Sequence, residues 1–283
     1  MVTPTARRNR GQVILIGAIT LAFILLGIVV VFNGVLYTET ISSSSTSQST
    51  ADAEVIEQGL ERNLVEIAHR WNLDESGDTH PSDFDNEVID SGGFRDQYQS
   101  TTARSRSAVV DIQVDDVDGA EQAGVITDQE INDDEIDLHN ESVGHLELEL
   151  GGADSTGTVT INATQKDGTY DKITLKETGR YELDGTSCEF NGPARVDLVT
   201  GEVNVSPYDC AGLDLITATD DYKYDTIEIE GSRFDGKYDL VAESSSVGTD
   251  VGVWEITADV TYESNQVSYE RTDATIKVYG ENG

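Results

Sequence analysis

The sequence predicts an α+β protein in which an N-terminal transmembrane helix and an amphipathic helix precede an antiparallel, β-sandwich-like outer domain. Three observations carry this. Residues 13–32, VILIGAITLAFILLGIVVVF, contain no charge. Ile56, Leu60, Leu64, Ile67 and Trp71 recur at 4-4-3-4 spacing, which gathers them on one face of a helix. From Val143 onward, apolar and polar residues alternate with period two between Gly- and Asp-containing turns. The divisions that follow are a basic tail at 1–12, a membrane helix at 13–38, a spacer at 39–50, a helical stalk at 51–104 and a β-rich domain at 105–283.

The uncharged run has the length of a membrane span. Its twenty residues, as a helix, rise about 30 Å, the thickness of a bilayer's hydrocarbon core. A lone apolar segment in lipid must pair its backbone groups internally, which only a helix does. Arg7, Arg8 and Arg10 precede the run, and the first charge after it is Glu39. Positive charge beside a first span is retained in the cytoplasm, so the N-terminus stays inside and the chain beyond Thr38 faces out. A cleaved secretory leader has a shorter apolar region and a small-x-small exit. Residues 33–39, NGVLYTE, offer no such exit, and Tyr37 suits the outer headgroup belt. The expectation is a single-pass anchor in the cell membrane with an extracellular C-terminal domain, the lipid bilayer being its first partner.

Composition narrows the surroundings. The chain carries 54 acidic residues against 18 basic ones, a formal net charge of −36. Such a surface repels itself in dilute salt, whereas at molar salt the Debye length shrinks to about 3 Å and the repulsion is screened. This is the habit of proteins from extremely halophilic cells. Nucleic acid is excluded as a partner, because it is negative as well. The two cysteines, Cys188 and Cys210, both lie beyond the span, where an oxidising compartment favours a disulfide. Two thiols are too few for a thiolate metal cluster.

Arg10-Gly11-Gln12, directly before the apolar run, resembles the prepilin signal of archaeal type IV pilin-like proteins. The resemblance implies cleavage by a prepilin peptidase between Gly11 and Gln12, and packing of the apolar helices of pilin-like subunits into a filament core. One position departs from the pattern. Glu is frequent five residues after the cut, and Ile16 stands here, so processing and filament assembly are separate expectations. The Arg-x-Gln start and the Asn-x-x-x-Tyr-Thr-Glu exit, Asn33 to Glu39, are also similar to a set of uncharacterised single-pass surface proteins of halophilic archaea. Both likenesses are confined to residues 10–39 and imply nothing about the outer domain.

Residues 41–50, ISSSSTSQST, compete for backbone hydrogen bonds and are expected to break the span helix. The helix predicted over 51–71 places Asp52, Glu54, Glu57, Glu61, Arg62 and Glu66 on its wet sides, with Glu66 and Arg70 as an i,i+4 pair. Its apolar stripe docks on the chain's own β-domain or on a neighbouring subunit, the first being expected. A second helix is predicted over 82–103, with Phe84, Val88, Phe94 and Tyr98 as its apolar side, loosened at Gly92-Gly93. Then the period changes. Residues 108–114, AVVDIQV, read as the first strand and 124–127 as a short one, while 131–140, INDDEIDLHN, are too charged to bury and are assigned to a loop. HLELEL, GTVTINAT, YDKITLKE, RYELDG, ARVDLV, GEVNVS, DTIEIE, KYDLVAE, VWEITADVTYE and QVSYERTDATIKVYG all alternate. Their number and spacing predict an antiparallel sandwich or rolled sheet with one wet, acidic face.

Candidate sites are sparse. His139 and His145 flank a loop with Glu141 between them, and would hold a metal or serve a hydrolase. A metal needs three or four converging ligands, so solvent-exposed histidines and no metal or cofactor are expected. His69 is expected beside the core on its helix. The Asp-rich segments at 74–78, 115–119 and 133–135 are calcium-like in composition, yet none has the twelve-residue pattern with its closing Glu. No nucleophile elbow, phosphate loop, H-E-x-x-H or C-x-x-C occurs, so no catalytic residue is named. Asn140-Glu141-Ser142 and Asn162-Ala163-Thr164 are glycosylation acceptors, whereas Asn204-Val205-Ser206 is disfavoured by Pro207. The expected function is a pilin-like surface protein with a structural or adhesive role. The alternatives are a membrane-tethered hydrolase and a ligand-binding ectodomain.

Overall fold

A computed structural model describes residues 53–74, 81–89, 92–106, 108–115, 122–152, 156–186, 188–204, 210, 212–219, 222–244, 246–248, 250–265 and 267–280, together with Leu25, Leu26, Ile28 and Val29. Those last four are helical and exposed. The rest of the apolar run, the basic tail with Gly11 and Gln12, and the spacer lie outside the described residues. Among the described residues no helix is long and apolar enough to cross a membrane. The chain falls into two units, Met1–Val55 with Ser264–Val267, and Ile56–Glu263 with Ser268–Gly283.

The second unit is mostly antiparallel β-sheet. Helix α1 runs over 53–72, its first three residues in the first unit. The single helix expected over 82–103 is two, α2 (Pro81–Ile89) and α3 (Phe94–Arg106). They part at Gly92, whose φ of +90° no helix accommodates. The strands are β1 (Val109–Val114), β2 (Gln122–Glu130), β3 (Asp133–Glu141), β4 (Val143–Leu150), β5 (Thr158–Gln165), β6 (Tyr170–Glu177), β7 (Tyr181–Leu183), β8 (Glu189–Phe190), β9 (Ala194–Asp197), β10 (Tyr224–Ser232), β11 (Gly236–Ala242), β12 (Asp250–Val253), β13 (Glu255–Glu263) and β14 (Ser268–Lys277). They form a six-stranded sheet, β3-β10-β5-β6-β7-β8, a five-stranded sheet, β12-β2-β11-β4-β9, and a three-stranded sheet, β1-β13-β14.

The two larger sheets share one core, and the alternation read in the sequence builds it. Leu146, Leu148 and Leu150 of β4, Val159 and Ile161 of β5, Ile227 and Ile229 of β10 and Leu240 of β11 are all buried within it. The opposite parity on β4, His145, Glu147 and Glu149, points to the other face of the sheet. Cys188 and Cys210 lie in the same core and are bonded, with Cα atoms 5.0 Å apart.

Three segments depart from expectation. INDDEIDLHN is not a loop: most of it is β3, the edge strand of the six-stranded sheet, with Ile136 and Leu138 buried and Asp133, Glu135 and Asp137 exposed. A charged strand is stable there because an edge has one face and one side in water. GEVNVS is not a strand over its described residues. Only Val203 bridges back, to Val196, across the turn in which Gly201 N–H donates to Asp197 O at 2.9 Å. VWEITADVTYE is interrupted at Trp254, where the chain leaves β12 in one sheet for β13 in another.

The buried stripe of α1 also differs from the predicted one. It is Ile56, Leu60, Leu64, Ala68 and Asn72, spaced by four throughout, while Ile67 and Trp71 are only half-buried. Asn72, 4 % exposed, docks the helix. Its Nδ2 donates to Val253 O at 2.8 Å and its Oδ1 accepts from Val253 N–H at 2.7 Å. Gly252 makes room, since a Cβ there would stand 2.4 Å from Asn72 Oδ1. At the other end of α1, Glu57 and Glu61 both receive Arg271 of β14. Asn72→Leu keeps the side chain's branching and leaves two backbone groups unpaired, so it is expected to cost roughly 3 kcal/mol. Ile67→Ala, at a half-buried position, is expected to cost about 1 kcal/mol. Urea midpoints of the two variants check the order; the reverse order would mean that apolar contact, and not the Asn72 pairing, holds the helix.

Candidate functional site

His145 opens β4 on the face opposite the shared core, and at this end α1 and the residues after β14 cover that face. His69 of α1 meets it edge-on, with ring centroids 5.1 Å apart and planes at 75°. Tyr279 stands 5.7 Å from the His69 ring and packs on Trp254 at 5.2 Å. The Tyr279 ring lies directly over Gly144, where any Cβ would fall 2.2 Å from it. Only glycine fits.

Hydrogen bonds order this cluster. Asn72 Nδ2 donates to the Tyr279 hydroxyl at 3.0 Å, and that hydroxyl lies 3.2 Å from His69 Nδ1. The His69–Tyr279 bond runs from the hydroxyl when Nδ1 is unprotonated and from Nδ1 when it carries the ring proton. His145 Nε2 is buried with no partner among the described residues. Burial pushes His145 down to about 4, the neighbouring His69 adds to the drop, and Asp197 opposes it. Burial lowers His69 too, again against Asp197, while Arg70 assists. Burial raises Tyr279, with the Asn72 bond opposing. At neutral pH all three rings are therefore uncharged. His145 is 8 % exposed and presents no surface to a substrate.

The structure gives His139 and His145 different surroundings. His139 projects from the edge strand β3 with its side chain 68 % exposed, and its Nδ1 is 2.7 Å from Asp137. Glu141 is taken up by Lys223 at 3.3 Å, and Lys223 also holds Glu243 at 2.7 Å. Among the described residues no group of three metal-ligating side chains converges. Of the three calcium-like segments, 133–135 is strand, and most of the other two lies outside the described residues. Asn140 is half-buried at the bulged end of β3, φ +69°. Asn162 sits within β5, its Nδ2 donating to Glu228 at 3.2 Å.

A second place gathers chemistry. β12 pairs with β2 only as far as Val125, so β2 from Ile126 onward has a free outer edge among the described strands. The free edge of β3 lies across from it, and between them opens a groove of about 400 Å³. Ile126, Ile136 and Val247 make its apolar lining, with Asp134 and Tyr238 among them. The approach of β2 to β3 is not readable from spacing, because the two strands belong to different sheets.

A family of unknown function, DUF7261, matches residues 7–124. That stretch takes in the apolar run, the three helices and β1, and ends inside β2. No curated protein and no solved structure matches the chain.

The histidine pair makes the fold acid-sensitive in a defined window. Unfolded histidines titrate near 6.5, whereas His145 in the fold holds off protonation to about 4. Stability is therefore full above about 6.5 and falls as pH drops towards 4, by about 3 kcal/mol for His145 alone. Denaturation midpoints between pH 7 and pH 5 are expected to decline in the parent and to flatten in His145→Gln. An equal decline in the variant would assign the acid sensitivity to other groups.

Proposed function

We propose that the chain is a single-pass, pilin-like surface protein of a halophile, whose extracellular β-sandwich-like domain has a structural or adhesive, non-catalytic role. The observation that carries this is the bonded pair Cys188 and Cys210 in the core of the β-rich unit, downstream of an uncharged run of membrane length. A cystine persists where the surroundings oxidise. Arg7, Arg8 and Arg10 before the run direct the rest of the chain to that side of a membrane. Closing a loop of 22 residues contributes about 3 kcal/mol by restricting the unfolded chain.

Two further observations support the reading. Strand faces turned away from the shared core carry carboxylates, as on β3 and β4, which suits a module bathed in concentrated salt. The partners that follow are the bilayer, a prepilin peptidase acting between Gly11 and Gln12, and other pilin-like subunits. Nucleic acid is not among them. Asn140 at the bulge of an edge strand is the better glycan acceptor, because the Asn162 nitrogen is already engaged by Glu228.

Mass spectrometry of the mature chain is expected to find Gln12 at its N-terminus, and Arg10→Ala with Gly11→Val to block that processing. Unchanged maturation of the double variant removes the pilin-like route, and full-length chain in the cytosol with reduced thiols removes the surface role altogether. Circular dichroism is expected to show loss of β-structure on dilution from molar to millimolar salt; a spectrum indifferent to salt would count against the halophile reading.

A further inference from the structure

We propose that the groove between the free edges of β2 and β3 binds a primary alkylammonium ion. The assignment starts from a carboxylate oxygen that the protein leaves unsatisfied and from a phenol beside it. Asp134 Oδ2 is shielded from solvent and has no hydrogen-bond partner among the described residues. A buried carboxylate oxygen without a donor is costly unless something else supplies one. Tyr238 is 2 % exposed and lines the same groove. The Asp134 charge, after burial, is what raises the Tyr238 phenol above its ordinary value, so the two groups sense each other.

A single chemical group answers both. An ammonium donates three hydrogen bonds, enough for the carboxylate of Asp134 and the oxygen of Tyr238 together. Walls made of Ile126, Ile136 and Val247 suit a short alkyl stem, so the site asks for a cation carried on a hydrocarbon chain. A bare metal ion would meet too few oxygens, since no three ligating side chains converge among the described residues. Anions are excluded by Asp134 itself and by Glu135 and Asp137 on the rim.

The buried position separates this site from the general attraction that a chain of net charge −36 exerts on any cation. Surface attraction is screened at molar salt, whereas a shielded pair is screened much less. The ammonium has two sources, a free amine or the side chain of a lysine presented by a partner protein, and the chemistry is the same for both.

Calorimetric titration of the full chain in 2 M NaCl with n-pentylamine, capped lysine (Nα-acetyl-lysine N-methylamide) and n-pentanol tests the proposal. Saturable one-to-one binding of an amine is expected, at least tenfold weaker in Asp134→Asn, weaker also in Tyr238→Phe, and undetectable for the alcohol. Tighter binding of pentylamine points to a free amine, and tighter binding of capped lysine to a partner's side chain. Equal affinity of amine and alcohol, or amine binding that neither substitution weakens, overturns the proposal. Should Asp134→Asn fail to fold by circular dichroism, Tyr238→Phe and the alcohol comparison decide it alone.

Discussion

A side-chain amide that completes the edge of a sheet is the constraint on which the rest of this unit depends. Val253 ends β12, the outermost strand of the five-stranded sheet, and its outward N–H and C=O would otherwise be buried without partners. Asn72 supplies both an acceptor and a donor, as a neighbouring strand would. One turn back along α1, the same anchoring sets His69 against His145 and Tyr279. The remaining length of the helix then carries Leu64 and Leu60 to burial and Glu57 and Glu61 to Arg271, on a strand of a different sheet. Trp254, next to the clamp, is where the chain itself passes between those two sheets. Helix and chain thus join the same pair of sheets at neighbouring points.

Much of the β architecture was legible because strand parity is a local property. HLELEL shows its leucines to one side whatever surrounds it, and that side is the core. Charge content is a poorer guide to a strand than parity. INDDEIDLHN reads as a loop by its six acids and amides, yet Ile136 and Leu138 keep the alternation that β3 obeys. VWEITADVTYE alternates without a break in sequence, yet Trp254 turns the chain from one sheet into another. Which sheet a strand joins is set by distant partners, and no window of ten residues contains them.

The helix and the site were harder for the same reason. Ala68 and Asn72 carry no hydrophobic signal, so the stripe was drawn through the larger Ile67 and Trp71. The true stripe follows steps of four from Ile56 to Asn72, and α1 reaches from Arg271 of β14 to Val253 of β12. Proximity in sequence pairs His145 with His139. Its parity puts it with Glu147 on the outer face, but α1 roofs that end of the face, a tertiary fact that no local pattern carries. The one local hint is Gly144 beside it, the missing side chain over which Tyr279 lies.

The regular alternation also explains how the fold lives with its charge. On the outer face of the five-stranded sheet, Glu147 of β4 stands directly opposite Asp239 of β11 and Asp197 of β9, three carboxylates in one row. Like charges directly opposite repel, and each of the three is met differently. Asp197 turns into the following bend and accepts from Val199 N–H at 2.8 Å and Thr200 Oγ1 at 2.8 Å. Asp239 accepts the Asp128 N–H at 2.7 Å. Glu147 shares Arg195 with Glu149, at 3.4 and 3.0 Å. The sharing recurs: Lys223 lies between Glu141 and Glu243, Arg180 between Glu182 and Glu189, Arg271 between Glu57 and Glu61. With 54 acids to 18 bases, one cation for two carboxylates still leaves acids over, and exposed pairs contribute only about 0–1 kcal/mol each. Counter-ions must do the rest. Period-two alternation keeps nearly every carboxylate out of the shared core, and by the same geometry it stacks them on neighbouring strands, so the pattern that fixes strand register also fixes where salt has to act.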